Sequence, residues 1–233
     1  FSLSVDEGQL NSFVILGDTT EFYLRTLIAE DLHTKFKIDQ LSTFFRWCQQ
    51  SMEFSGLNLQ AGQTIISDTV LFRYENARSL NDFVSKVRVH ANFTNTVINP
   101  KDLALFAPFV ERIEQPIQLS GLFNGRIENF KFTKMKIDVG NTHLSGSINM
   151  DGLPNINETF MVIDLRNSIV DPLDLSFLFN ENTISRLAPM GRLSMDGQFL
   201  GYPTDFVANG NFTGVLGEVR SDINFKVNEQ DFD

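Results

Sequence analysis

Three histidines, His33, His90 and His143, a single cysteine, Cys48, and the acidic turn Asp151-Gly152-Leu153-Pro154-Asn155-Ile156-Asn157 are the features of this 233-residue chain whose types suggest chemistry. An imidazole can move a proton near neutral pH or hold a metal. Each histidine here stands alone in a strand-like context, and structural zinc requires grouped Cys and His ligands, so neither role is expected. One cysteine forms no internal disulfide. The Asp151 segment offers oxygen atoms but lacks the spacing and the terminal bidentate Glu of a calcium loop, and reads as a turn. No nucleophile elbow, phosphate loop or paired catalytic carboxylate motif occurs. The chain is therefore expected to be no enzyme and to need neither metal nor cofactor; a hydrolase using Asp151 or His143 ranks a distant third among the functional readings. The triplets at Asn92, Asn157 and Asn211 match a glycosylation pattern that is frequent by chance in Asn-rich chains, and receive no weight.

Composition narrows the classes further. With 42% hydrophobic and 21% charged residues the chain can bury a core, and 19 Lys plus Arg against 29 Asp plus Glu give a net charge of −10, which repels nucleic acid. Phe is used 23 times against 3 Tyr and 1 Trp. Wet interfaces favour rings with a polar handle, so this bias points to a dry environment. The same shortage of Trp and Tyr argues against an outer-membrane barrel with aromatic girdles. The longest apolar run, residues 103–110, is interrupted by Pro108, too short to span a bilayer. The start at Phe1 and the polar, acidic stretch at 228–233 read as the ends of a piece of something longer.

These residues must be positioned by strands. Ile117, Leu119, Gly121 and Phe123 alternate with polar neighbours, as do Phe130 and Phe132; Met135, Ile137 and Val139; Leu144, Gly146, Ile148 and Met150; Leu193, Met195, Gly197 and Phe199; and Val219, Ser221, Ile223, Phe225 and Val227. Gly140-Asn141 and Gly210-Asn211 are expected turns. The first half alternates less regularly, with strands expected around residues 1–5, 32–38 and 70–74. Asn99-Pro100-Lys101-Asp102 and Asp171-Pro172-Leu173-Asp174 are matching helix starts, each with a side-chain cap followed by Pro. Ser79-Leu80-Asn81-Asp82 is expected to cap another short helix. The two starts belong to a repeat: Asn95, Val97, Pro100, Asp102 and Leu103 fall on Asn167, Ile169, Pro172, Asp174 and Leu175 at a shift of 72, and Gly121, Gly125 and Phe130 on Gly197, Gly201 and Phe206 at a shift of 76. Glycines in such strands act as shape devices that permit bends or bulges.

The expected fold class is mainly β: an elongated, repeated antiparallel sheet with short capped helices between strand sets. Residues 1–86 form a degenerate first repeat region, 87–159 a second repeat and 160–233 a third, in one continuous unit without separate globular domains.

Residues 92–108, centred on Asn99-Pro100-Lys101-Asp102-Leu103, together with 119–127, 152–156, 41–47 and 199–208, resemble the TamB proteins of the Gram-negative envelope, the translocation and assembly module subunits related to AsmA. The resemblance covers roughly residues 13–228. It implies a long sheet curved into an open apolar trough, a β-taco, that carries phospholipid acyl chains between inner and outer membranes. It also implies a periplasmic location with an inner-membrane tether outside this piece, and partnership with an outer-membrane barrel of the BamA/TamA type. It supplies no catalytic residues. The residues expected to line the trough are Ile117, Leu119, Phe123, Phe130, Phe132, Leu144, Ile148, Met150, Leu193, Met195, Phe199, Phe206, Phe212, Ile223 and Phe225. The alternative is a structural scaffold with the Phe face as filled core, assisting assembly or translocation of outer-membrane proteins through edge-strand pairing.

Overall fold

Alternation with period two puts apolar side chains on one side of a strand, and antiparallel neighbours in register extend that side from strand to strand. The computed structural model describes residues 3–33, 35–103, 113–174, 184–185 and 188–226. It is mainly β, antiparallel and not closed, as the alternation predicts. The chain divides into two compact units, Phe1–Arg126 and Ile127–Asp233, so the division falls inside the segment 87–159 that the sequence treats as one repeat.

In the first unit β1 (Leu3–Leu16), β2 (Thr19–Asp31), β4 (Gln40–Cys48), β5 (Ser51–Ala61), β6 (Thr64–Arg73), β7 (Arg88–Ile98) and β8 (Ile117–Arg126) pair in that order, and the two-residue β3 (Lys37–Ile38) pairs with β2. Two short helices, α1 (Phe83–Lys86) and α2 (Pro100–Leu103), follow β6 and β7. In the second unit β9 (Asn129–Val139), β10 (Thr142–Asp151), β11 (Phe160–Val170), β12 (Leu193–Tyr202), β13 (Asp205–Gly214) and β14 (Gly217–Lys226) form a meander.

Several local expectations change. Leu32 and His33 lie in a turn, leaving Lys37–Ile38 as the only strand of the expected 32–38 segment. Asn76, not Ser79, caps the helical turn at Ala77–Asp82: its side chain accepts from the Arg78 N–H at 3.0 Å, and Ser79 Oγ accepts from the Asn76 N–H. Gly210-Asn211 lies inside β13, and the turn falls at Val215-Leu216. Asp151-Gly152-Leu153-Pro154 is a turn, as expected.

The two matching Pro turns each take part in a hydrogen-bonded latch of the same design. Asp102 Oδ2 accepts from the Gln63 N–H at 3.0 Å and the Thr64 hydroxyl at 2.9 Å, while Thr64 Oγ1 accepts from the Asn99 N–H at 3.0 Å. Asp174 Oδ2 accepts from the Asn141 N–H at 2.7 Å and the Thr142 hydroxyl at 3.1 Å, while Thr142 Oγ1 accepts from the Asp171 N–H at 3.0 Å. In both copies the first residue caps the Pro turn, Asn99 taking the Lys101 N–H and Asp171 the Leu173 N–H, each at 3.0 Å. Each latch carboxylate sits over a hairpin glycine in left-handed conformation, Gly62 (φ 61°) or Gly140 (φ 58°). A side chain on that glycine would occupy the carboxylate's place: a Cβ on Gly62 would lie 2.7 Å from Asp102 Oδ1. The helix signal in the sequence is thus half of a device that pins a strand's end to the preceding hairpin.

Replacing Asp174 by Ala strips the buried Thr142 hydroxyl and the Asn141 N–H of their acceptor. The expected loss is about 1–3 kcal/mol, read as a lower urea midpoint at unchanged m; Asp102→Ala should behave alike. A midpoint equal to wild type in both variants would show that the latches add nothing to stability.

Candidate functional site: the apolar face of each unit

In the second unit the register assembles rows of side chains on one face. Phe130, Met150, Met161, Gly201, Phe206 and Phe225 are cross-strand partners in turn from β9 to β14. Phe132, Ile148, Ile163, Phe199, Ala208 and Ile223 form the neighbouring row. Further along, Ile137 opposes Leu144, and Met195, Phe212 and Val219 continue from Ser168. Leu193 partners Val170 at the strand end. All twelve sequence-selected residues of this unit therefore share one face. The rings of Phe199, Phe206 and Phe225 stack successively, with centroids 4.7 and 5.0 Å apart; such pairs add about 0.5–1.5 kcal/mol beyond area burial.

Between these rows runs a third, Met135, Gly146, Leu165, Gly197, Gly210 and Ser221, in which three glycines stand beside larger residues. A Cβ on Gly197 would stand 2.6 Å from the Asn209 carbonyl oxygen, and one on Gly210 2.8 Å from that of Asp196. The backbones approach too closely for any side chain, so Gly197 acts as the shape device expected of it. Gly201 is held equally close, against the Asp205 carbonyl and Phe206, with φ 137°.

In the first unit Ile117, Leu119 and Phe123 of β8 share a face with Ile98, Thr96 and Ala91 of β7. That face continues into a series absent from the sequence-selected set. Phe13, Phe22, Phe45, Phe54 and Phe72 follow one another across β1, β2, β4, β5 and β6, ending on Phe83 of α1, with successive centroids 6.1, 4.9, 5.0, 6.0 and 5.3 Å apart. Phe44-Phe45 places apolar rings on both sides of β4, which hides the alternation; Phe44 meets Tyr23 on the other side, at 4.8 Å. Met161, Ile163 and Leu165 of β11 were missed although they alternate plainly.

The face is half-buried. Phe132 and Met135 are 8% and 0% exposed, whereas Phe199, Phe206 and Phe212 are intermediate and Ile223 and Phe225 reach 43% and 42%. The opposite face carries charge in ordered rows. Arg46 sits between Glu21 and Glu53, its direct cross-strand partners, with Nε 2.6 Å from Glu21 and a guanidinium nitrogen 3.7 Å from Glu53. Asp164 accepts from Arg166 at 3.1 Å and from Gln198 at 3.3 Å, and these bonds hold its carboxyl below the usual range.

The residues first considered for chemistry do not converge. His33 is in a turn, His143 Nδ1 lies 2.6 Å from Asp138, and Cys48 Sγ lies 3.0 Å from Ser51 Oγ, a hydrogen bond that draws its thiol pKa down. Among the described residues no group of three or more His, Cys, Asp or Glu is placed to hold a metal, and no helix is long and apolar enough to cross a membrane. His90, on the polar face between Leu71 and Asn124, has a buried Nε2 without a hydrogen-bond partner. Its pKa lies below the ordinary imidazole value because of burial, then Arg73 and Arg88. What the assembled face can do is hold hydrocarbon, without direction and without specific ligands.

No protein-family model, curated protein or solved structure matches the chain.

Two variants check this geometry. Gly197→Val drives a branched side chain into the Asn209 carbonyl and should cost about 1–3 kcal/mol, a cost absent at open Gly17 once its turn conformation is matched by Asn. For His90 the folded state resists the proton that the unfolded state accepts, so stability is full above the ordinary value near 6.5 and declines as pH falls through it. Urea midpoints at pH 7 and pH 5 should therefore differ less in His90→Gln than in wild type; equal differences would remove His90 from the account.

Proposed function

We propose that this chain is a periplasmic segment of a TamB/AsmA-like envelope protein, whose apolar sheet faces carry phospholipid acyl chains between the inner and outer membranes. In this reading the full-length protein is tethered to the inner membrane and works with an outer-membrane barrel of the BamA/TamA type. The observation that supports it is that many of the phenylalanines line one face across successive strands of each unit, yet residues such as Phe199, Phe206 and Phe225 keep part of their surface accessible. A large exposed apolar patch in a soluble setting marks a surface that meets something apolar. Each methylene moved from water to such a surface gains about 0.8 kcal/mol, and because the gain is non-directional a chain can slide along it. Polar groups on the opposite face keep that side wet.

A scaffold reading draws on β1, which among the described residues pairs only with β2 and leaves Phe13, Ile15 and Leu16 57%, 62% and 69% exposed, an edge suited to strand addition. A filled core, which that reading also requires, is less consistent with half-accessible phenylalanines.

The test is native mass spectrometry with lipid extraction on protein purified without detergent. Co-purifying phospholipid is expected, and it should be lost in Phe199→Asp combined with Phe225→Asp while circular dichroism and the cooperative thermal transition persist. Phe132 is unsuitable for this purpose because its burial makes it part of the fold. A lipid-free wild type, or a folded double variant that retains its lipid, would overturn the proposal.

A further inference from the structure

Where β6 ends, β7 begins and β8 ends, three arginines stand side by side on the polar face. Arg73 and Arg88 are direct cross-strand partners, and Arg126 follows Gly125, the partner of Val89, extending the row by one strand. Like charges directly opposite on a sheet destabilise it. The chain has the means to avoid this, since it carries ten more acidic than basic residues. Elsewhere it uses them: Arg46 is paired by Glu21 and Glu53, Arg166 by Asp164, Arg192 by Asp171, Lys37 by Asp39 and Lys226 by Asp205. Among the described residues Arg73, Arg88 and Arg126 form no ion pair. They line, with Lys86, Ser85 and Glu75, a depression of about 480 Å³ within the first unit. Lys86 is already paired, its Nζ 3.5 Å from Asp82, so three unpaired arginines against the Glu75 carboxylate leave that depression positive in an acidic protein.

We infer that the Arg73–Arg88–Arg126 row is a binding site for a phosphate group, a monoester or diester, held by guanidinium forks. Planar guanidinium groups match phosphate oxygens in bidentate geometry, and an anion between them replaces repulsion with charge-assisted hydrogen bonds. The site stands on the arginine row and does not require the acyl-chain reading. Two sources share this chemistry, a soluble phosphate compound and the headgroup of a phospholipid.

The experiment measures thermal midpoint and calorimetric binding with inorganic phosphate and, separately, with monomeric dihexanoyl phosphatidic acid, against sodium chloride at equal ionic strength. Phosphate is expected to raise the midpoint where chloride does not. Arg88→Gln should raise the midpoint in chloride, because repulsion is relieved, and weaken phosphate binding by about tenfold; a merely structural arginine would lower the midpoint when removed. Arg126→Gln provides the same comparison at the row's end. Equal affinity for both probes identifies a soluble phosphate compound, and markedly tighter binding of the lipid identifies a headgroup. If neither probe shifts the wild-type midpoint beyond chloride, or if both folded variants bind as wild type does, the inference fails, whatever the outcome for lipid co-purification.

Discussion

Cross-strand register is the constraint on which the rest of this structure depends, because a slip of one residue in any strand would turn its Phe, Ile and Met side chains to the charged face and its Asp, Asn and Lys to the apolar one. The latches act on this constraint directly. Asp102 and Asp174 tie the entry of a strand set to the hairpin before it, through a carboxylate that only a glycine leaves room for. The hydrogen bonds are ordinary in strength. Their position makes them matter, since a hairpin and a Pro turn fixed at the strand's end leave the intervening residues one way to pair.

Register survives irregularity because the irregularities preserve the face. Phe132 pairs with Ile148 and Met135 with Gly146, so β9 spends three steps where β10 spends two, with Lys134 at φ 50° in the extra position. The apolar residues of β9 switch from even to odd numbers at that point and stay on the same side. Asn167, φ 48°, does the same between Leu165 and Ser168 on β11, and Gly56, φ 60°, between Phe54 and Leu57 on β5. Bulges add local twist and bend to a strand. Together with the backbone contact at Gly197 and Gly210 in the second unit, they give the strands a means of bending without surrendering the alternation that defines the two faces.

This explains what could be read from the residues alone. β12 and β13 alternate without interruption, and Leu193, Met195, Phe199, Phe206 and Phe212 were legible as one stripe. The two matching Pro turns were legible because each latch needs an Asp, a Pro and a cap at fixed offsets. The aromatic series of the first unit was not, since its members are spread over six elements and meet only through pairing: Phe22 and Phe45 are 23 positions apart in sequence and 4.9 Å apart in space. Gly210-Asn211 has the composition of a turn and lies mid-strand because Gly197 opposite it has no side chain, a fact about the partner strand that local composition does not carry. The arginine row was hidden for the same reason. Arg73, Arg88 and Arg126 are unremarkable in sequence until three strand ends bring them level.

Two rows on the polar face of the first unit make the point about charge. Glu21, Arg46 and Glu53 cross β2, β4 and β5 with alternating sign, and each ion is answered by its neighbour. Arg73, Arg88 and Arg126 cross β6, β7 and β8 with one sign throughout. A sheet that already places carboxylates opposite Arg46 would gain by placing one opposite Arg88, and the absence of that carboxylate leaves a strongly directional, anion-shaped demand at the end of the strands. The apolar face has the opposite character, because burial of apolar surface is non-directional and sets no such demand at any one position. A phosphate between Arg73, Arg88 and Arg126 would give them the counter-charge that Arg46 already has from Glu21 and Glu53, and it would do so at one fixed place on the sheet.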